Sequence, residues 1–203
     1  MFIVFEGPDG SGKSTQIELL RQELQTVGHR VTVTREPGGC PVAEAVRGIL
    51  LDIENAGMAA EAEALLYAAA RAEHVERVIV PALERGDIVL CDRYLMSSLA
   101  YQGYGRGLGV EWIWQINRAA RERAMPDLTF LFQLSAGEAL GRKEAQKALD
   151  RIEAENMEFH QRVTAGFARL ADSFPGTVPV DARLSVDELH EQIRKNISQL
   201  QNA

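Results

Sequence analysis

An α/β fold built on a parallel sheet is predicted by three observations. Short apolar runs alternate with longer helical patterns along the chain, the ordering in which strand, crossover helix and further strand pair in parallel. Several runs are apolar almost throughout, as strands covered on both faces are. No internal repeat, low-complexity tract or linker rich in Pro, Gly and Ser divides the 203 residues. One domain, 1–203, is expected.

The strands are expected at Phe2–Phe5, Val31–Thr34, Ile88–Cys91, Thr129–Leu134 and Thr177–Val180. The first, third and fourth read as central. Pro179 removes a ladder donor, so the last strand belongs at an edge. Helices fill the intervals. Ile17, Leu20 and Leu24 stripe the first, and Gly28 stands in the position that ends it. In the last, Ser185 and Glu188 form a capping box, with Val186, Leu189, Ile193, Ile197 and Leu200 following at helical spacing.

Composition excludes several classes of function. Apolar residues make up 46% and charged residues 25% of the chain, the mix of a soluble globular protein. A net charge of -7 disfavours a broad nucleic-acid or membrane surface, which needs clustered cations. Cys40 and Cys91 lie far apart and outside any Cys-x-x-Cys pair, so neither a metal site nor a disulfide framework is expected. No apolar run is long enough for a bilayer. The N-terminal apolar stretch ends at Glu6 with no basic region before it, and a cytoplasmic setting is expected.

The strongest motif is Gly7-Pro8-Asp9-Gly10-Ser11-Gly12-Lys13-Ser14, a full G-x-x-x-x-G-K-[ST] phosphate loop between an apolar strand and an amphipathic helix. Its glycines let successive backbone N–H groups turn inward around phosphates, and the helix N-terminus adds its positive end. Lys13 is expected to reach the β- and γ-phosphates, and Ser14 to supply an oxygen to Mg²⁺. The motif alone leaves a kinase, a GTPase and an ATPase open, and a phosphate-free glycine turn is the bland alternative.

Further polar stretches follow other strands, on the side of an open α/β sheet where ligands bind. Thr34-Arg35-Glu36-Pro37-Gly38-Gly39 closes the second strand, and Asp92-Arg93-Tyr94 the third, leading into Ser97-Ser98-Leu99-Ala100-Tyr101-Gln102-Gly103. If helical from Tyr94, this segment puts Tyr94, Ser98, Tyr101 and Gln102 on one face, suited to a flat hydrogen-bonding base and its sugar. Tyr67 and Arg71 are i, i+4 neighbours in an Ala-rich helix, able to stack on a base and donate to its carbonyls. Core packing for Tyr67 and a surface ion pair for Arg71 are the plainer readings. No Asn-Lys-x-Asp segment speaks for a GTPase. A kinase for UMP or CMP, a nucleotide-holding regulatory protein and a deoxynucleoside kinase remain as rivals.

Taken together, the chain resembles the bacterial thymidylate kinases from end to end. The resemblance runs through Glu6–Thr15, Thr34–Gly39, Asp92–Gly103, Met125-Pro126-Asp127-Leu128-Thr129 and Asp150-Arg151-Ile152-Glu153. It implies a three-layer P-loop NTPase fold with a five-stranded parallel sheet in the order 2-3-1-4-5, a mobile lid at about 137–152, and a homodimer. It further implies ATP and Mg²⁺ as cofactors, with dTMP as acceptor. ATP would be held by Gly7, Pro8, Asp9, Gly10, Ser11, Gly12, Lys13, Ser14 and Thr15, with Arg142 and Lys147 from the lid. Arg93 would touch the acceptor phosphate and bridge the two nucleotides, with Asp92 near Mg²⁺, directly or through water. Asp9 would meet the 3′-hydroxyl of dTMP and Arg47 its phosphate, beside Glu36, Pro37 and Ser97. Tyr67 stands where the family usually has a stacking Phe. Arg71, Ser98 and Gln102 would bond the base edge, and Tyr101 would crowd C2′ of the sugar.

The transfer asks for in-line positioning and charge neutralisation more than for a base, because the acceptor phosphate is already anionic. Lys13, Arg93, Mg²⁺ and lid cations would supply the positive charge. Thymidylate kinases generally supply an arginine to the γ-phosphate from the phosphate loop or the lid, yet the residue after Asp9 is Gly10. The lid run Arg142-Lys143-Glu144-Ala145-Gln146-Lys147-Ala148-Leu149-Asp150-Arg151 has Glu144 and Gln146 where arginine-rich lids carry arginine. Lys147, with Arg142 or Arg151, is expected to replace it. Asp150 and Glu153 would orient these cations or outer-shell Mg²⁺ waters, or serve only as solvated charges.

Overall fold

Five strands, β1 (Phe2–Glu6), β2 (Val31–Arg35), β3 (Ile88–Asp92), β4 (Leu128–Gln133) and β5 (Thr177–Asp181), pair wholly in parallel in the order β2-β3-β1-β4-β5. The computed structural model describes residues 1–143 and 150–201. The sheet order is the one the resemblance implies, and β1, β3 and β4 are its interior strands. Pro179 lies on edge strand β5, opposite Leu131.

Several strands run one residue past the apolar stretch that announced them, ending on Glu6, Arg35, Asp92 and Asp181. β4 starts and ends one residue earlier than the sequence suggests. Backbone pairing is indifferent to side-chain polarity, so the ladder continues where the hydrophobic signal stops: Phe5 pairs with Asp92 and Glu6 with Leu131. The polar residues so recruited stand at the carboxyl edge, where the site is.

Alternation along the strands builds two cores. Ile3, Phe5, Leu90, Phe130 and Phe132 face α1 (Lys13–Thr26) and the C-terminal Val186–Gln201 helix. Ile17, Leu20 and Leu24 meet Leu189, Ile193 and Ile197 there, as their helical spacing predicts. Phe2, Val4, Val89, Cys91 and Leu131 face the other layer. Each fully buried Phe or Leu contributes roughly 1.5–3 kcal/mol by leaving water. Gly28, at φ 92, follows the Val27 cap of α1 and takes the left-handed turn.

The second layer positions the site. α2 (Pro41–Leu51) packs on α3 (Ala60–His74), which continues through a π-helical stretch, Val75–Ile79, into α4 (Val80–Glu84). After β3 come α5 (Leu95–Ser98) and a second π-helical stretch, Leu99–Gly105. Here one expectation fails. Tyr94 precedes the helix with φ -156 and so does not share a face with Ser98, Tyr101 and Gln102. Its ring is buried edge-on against Phe2, and its hydroxyl donates to Ala124 O at 2.8 Å. Tyr94 is core.

Candidate active site

Glycines set the path of the phosphate loop. A Cβ on Gly7, at φ 130, would lie 2.4 Å from Phe132 O, and Gly10 and Gly12 also turn at positive φ. Gly12 is the N-cap of α1 without a side-chain hydrogen bond, and no acidic residue occupies the first turn. The donors and the positive helix end are left for an anion. Ser11 Oγ is buried without a partner among the described residues. Lys13 Nζ donates to Gly7 O at 3.1 Å and Pro8 O at 2.8 Å. Burial, then the neighbouring Arg93 charge, lower its pKa to about 8, against the pull of Asp92, Asp9 and Glu6.

Across the loop, Ser14 Oγ donates to Asp92 Oδ2 at 3.2 Å, while Asp92 Oδ1 is buried and unpartnered among the described residues. No cluster of three His, Cys, Asp or Glu residues could cage a metal among those residues. A hydroxyl and a carboxylate side by side fit Mg²⁺, which takes one or two protein oxygens and completes its shell with water and phosphate. Both cysteines are buried free thiols.

Arg93 stands between this loop and the adjoining cleft, at φ 68, a left-handed conformation costly for a side-chain residue. The turn is held from outside. Buried Glu6 accepts from Tyr94 N at 2.8 Å and Ser97 N at 3.1 Å, and also from Ser97 Oγ. Desolvation pushes the Glu6 carboxyl up to about 7 against these bonds and the Arg93 charge. The guanidinium of Arg93 pairs with Asp9 Oδ1 at 3.0 Å, donates to Ser97 Oγ at 3.1 Å and lies 5.3 Å from the Tyr101 ring centre. Burial above all pushes the Tyr101 phenol up to about 12.

The cleft beyond Arg93 has an empty volume of about 720 Å³. All of Asp9, Glu36, Pro37, Arg47, Tyr67, Arg71, Arg93, Ser97, Ser98, Tyr101 and Gln102 line it. Arg47 donates to Pro37 O at 2.8 Å, fixing α2 to the Glu36–Pro37 turn, whose peptide bond is cis. Arg71 is buried. Its Nε donates to Glu36 Oε2 at 2.6 Å, Nη1 to Asn117 Oδ1 at 2.6 Å and Ser98 Oγ at 3.0 Å, and Nη2 to Tyr94 O at 3.1 Å. His74 bonds the other Glu36 oxygen at 3.0 Å and Thr34 Oγ1 at 2.7 Å. Glu36 is thus occupied in fixing Arg71.

Sequence reasoning missed the wall residues Leu51 and Ile152 and the supporting Glu6, Glu63, His74 and Asn117. A signal existed for one of them. Glu63, Tyr67 and Arg71 recur every four residues on α3, so Glu63 shares the face already singled out. The stretch 137–152 begins in α6 (Ala136–Lys143), where Arg142 Nη1 donates to Ala182 O at 3.0 Å. Glu144, Gln146 and Lys147 lie outside the described residues. Arg151 is no solvent-facing cation: it is buried, pairing with Glu63 at 2.7 Å and donating to Leu50 O at 2.7 Å. Asp150 and Glu153 line the cleft and close their own turn, Asp150 Oδ1 accepting from Ile152 N and Glu153 N, both at 2.9 Å.

Residues 5–193 match the sequence model of a family described as thymidylate kinase. The thymidylate kinase of Citrifermentans bemidjiense is 51% identical over 180 residues, 86% of this chain and 80% of that protein. That of Symbiobacterium thermophilum is 49% identical over 201 residues, covering 98% and 94%. That of Finegoldia magna is 48% identical over 192 residues, 95% of each.

Proposed function

The chain belongs to the thymidylate kinase family, and from that premise we propose how its cleft transfers a phosphoryl group from ATP to dTMP. It is a phosphotransferase with a phosphate acceptor, acting in nucleotide biosynthesis, and its family uses ATP with Mg²⁺. One observation carries the residue-level reading. A cleft lined by Tyr67, Arg71, Ser98, Tyr101 and Gln102 opens beside the phosphate loop, and Arg93 spans the boundary between them. That is the arrangement two nucleotides meeting end to end require.

In this reading the amides of Gly7–Thr15 and Lys13 hold the ATP phosphates, with Arg142 at the lid. Lys13 exchanges its two carbonyl acceptors for phosphate oxygens. Arg93, which pairs with Asp9 in the structure, turns to the acceptor phosphate and bridges donor and acceptor. Arg47 approaches the same phosphate, Asp9 meets the 3′-hydroxyl, Tyr101 crowds C2′, and Tyr67 stacks on the base. Ser14 and Asp92 would hold Mg²⁺, which supplies charge neutralisation and alignment of the phosphates when bound. No side chain serves as general base. Segment 137–152, as the lid, excludes water as a competing acceptor, and Lys147 remains our choice for its γ-phosphate cation.

A coupled assay with dTMP, dUMP, dCMP, CMP and UMP tests this. kcat/KM for dTMP should exceed that for CMP by several orders of magnitude, because mispaired buried polar groups are penalised strongly. The margin over dUMP should be modest, since one methyl is worth little. CMP or UMP as preferred acceptor would overturn the assignment.

The protein acts as a homodimer through α2 and α3. Val42, Ile49, Ile53 and Leu65 are each about half exposed on α2, the short turn after it and α3, apolar side chains that a second copy would cover. Light scattering should give twice the 22.4 kDa chain mass. Ile49→Lys with Leu65→Lys should shift it to monomer. A monomeric wild type at micromolar concentration would refute the dimer.

A further inference from the structure

Glu63 on α3 is fully buried and gathers three side chains that the transfer chemistry does not use directly. Arg106 donates to it through Nε at 3.2 Å and Nη2 at 2.9 Å, and Arg151 pairs with it at 2.7 Å. Gln102, which lines the cleft, donates its Nε2 to Glu63 Oε1 at 2.9 Å. Burial works to raise the Glu63 carboxyl, but the bonds from Arg106 and Gln102, the Arg106 charge and Arg151 hold it below the usual range. It is therefore a carboxylate, which only accepts. Turning the Gln102 amide over would set its oxygen 2.9 Å from a charged oxygen in a buried place, where two unpaired acceptors are strongly penalised.

We propose that Glu63 is the positioning residue that fixes the direction of the Gln102 amide, so that the base pocket offers an acceptor and selects bases carrying a ring N–H at N3. This rests on the dTMP reading and adds what enforces it. With Nε2 held against Glu63, the acceptor Oε1 lies at the other end of the Gln102 amide, where the cleft can present it to a base. Arg71 presents only donors beside it, itself fixed by Glu36. A donor next to an acceptor complements the O4 and N3–H of thymine or uracil. Cytosine reverses both, with an N4 amine and a bare N3. The C5 methyl is not read by this pair.

The test is kcat/KM for dTMP, dUMP and dCMP in wild type, Glu63→Gln, Gln102→Met and the double variant. Glu63→Gln supplies an amide that donates as well as accepts, freeing Gln102 to turn. The dTMP-to-dCMP ratio should narrow at least about tenfold, chiefly through KM, the size of one buried polar mismatch. The dTMP-to-dUMP ratio should stay within about twofold, because both are imides. A merely structural role would lower all three acceptors in parallel, and that result overturns the proposal. Gln102→Met should narrow the dCMP ratio similarly, and adding Glu63→Gln to it should narrow it no further. Should Glu63→Gln fail to fold, an unchanged ratio in Gln102→Met overturns the proposal alone. A wild type that turns over dCMP as readily as dTMP would instead overturn the substrate reading, before any variant is made.

Discussion

Lys13→Met is expected to lower kcat by about 10²–10³ or more, the usual effect of removing one preorganised charge from a transition state. The fold should not suffer. The variant keeps an apolar stem, and what it loses is an ammonium that is buried before ATP arrives. Because the folded pKa, about 8, lies below the ordinary lysine value of 10.5, the unfolded chain binds more protons between these values. Stability therefore rises with pH through that window, and below about pH 8 the buried charge is a cost. Removing it should leave Tm at pH 7 no lower. ATP phosphates would favour the charged lysine again, so binding takes up a proton above pH 8. Wild-type ATP affinity should weaken there by up to about tenfold per pH unit, a slope absent from Lys13→Met. Unchanged turnover in the variant would remove Lys13 from the reaction.

How much of this was legible in the sequence depended on the range of the interaction involved. The phosphate loop is local: glycines, lysine and helix start lie within eight residues, and their geometry follows from backbone sterics alone. The sheet was legible because β1, β3 and β4 are buried on both faces and read as unbroken apolar runs. The cleft-lining residues were reached through motifs at strand ends, through the i, i+4 pair Tyr67 and Arg71 on a helix and, for Arg47, through the family resemblance alone. Tyr94 was misplaced because spacing arguments hold only inside a helix, and this helix begins one residue later. Glu6 and His74 were invisible for a different reason. A charged residue in a strand or an Ala-rich helix ordinarily faces water, and its burial is decided by partners 38 to 91 residues away, which no window of local sequence contains.

Arg71→Met should show how closely stability and base reading depend on one such partner set. The guanidinium is 2% exposed and satisfies Glu36, Asn117, Ser98 and the Tyr94 carbonyl at once. It also lies 5.4 Å from the Tyr94 ring centre. Methionine fills much of its volume but leaves the Glu36 carboxylate buried beside His74 alone. Breaking a buried pair from one side costs roughly 3–5 kcal/mol, which for a domain of this size is about 6–20 °C in Tm. In the same variant kcat/KM for dTMP should fall by about 10²-fold or more, because the donor facing O4 is gone. Adding Glu36→Met separates the two effects. An apolar pair tolerates burial better than a lone carboxylate, so Tm should recover in part. Activity should not, since nothing restores a donor to the base edge. Thermal denaturation and dTMP kinetics on the two proteins decide the matter. If Arg71→Met holds Tm within about 2 °C, the buried network does not anchor α3 to α5 and β2. If the double variant regains turnover along with Tm, Arg71 supports the pocket and does not read the base.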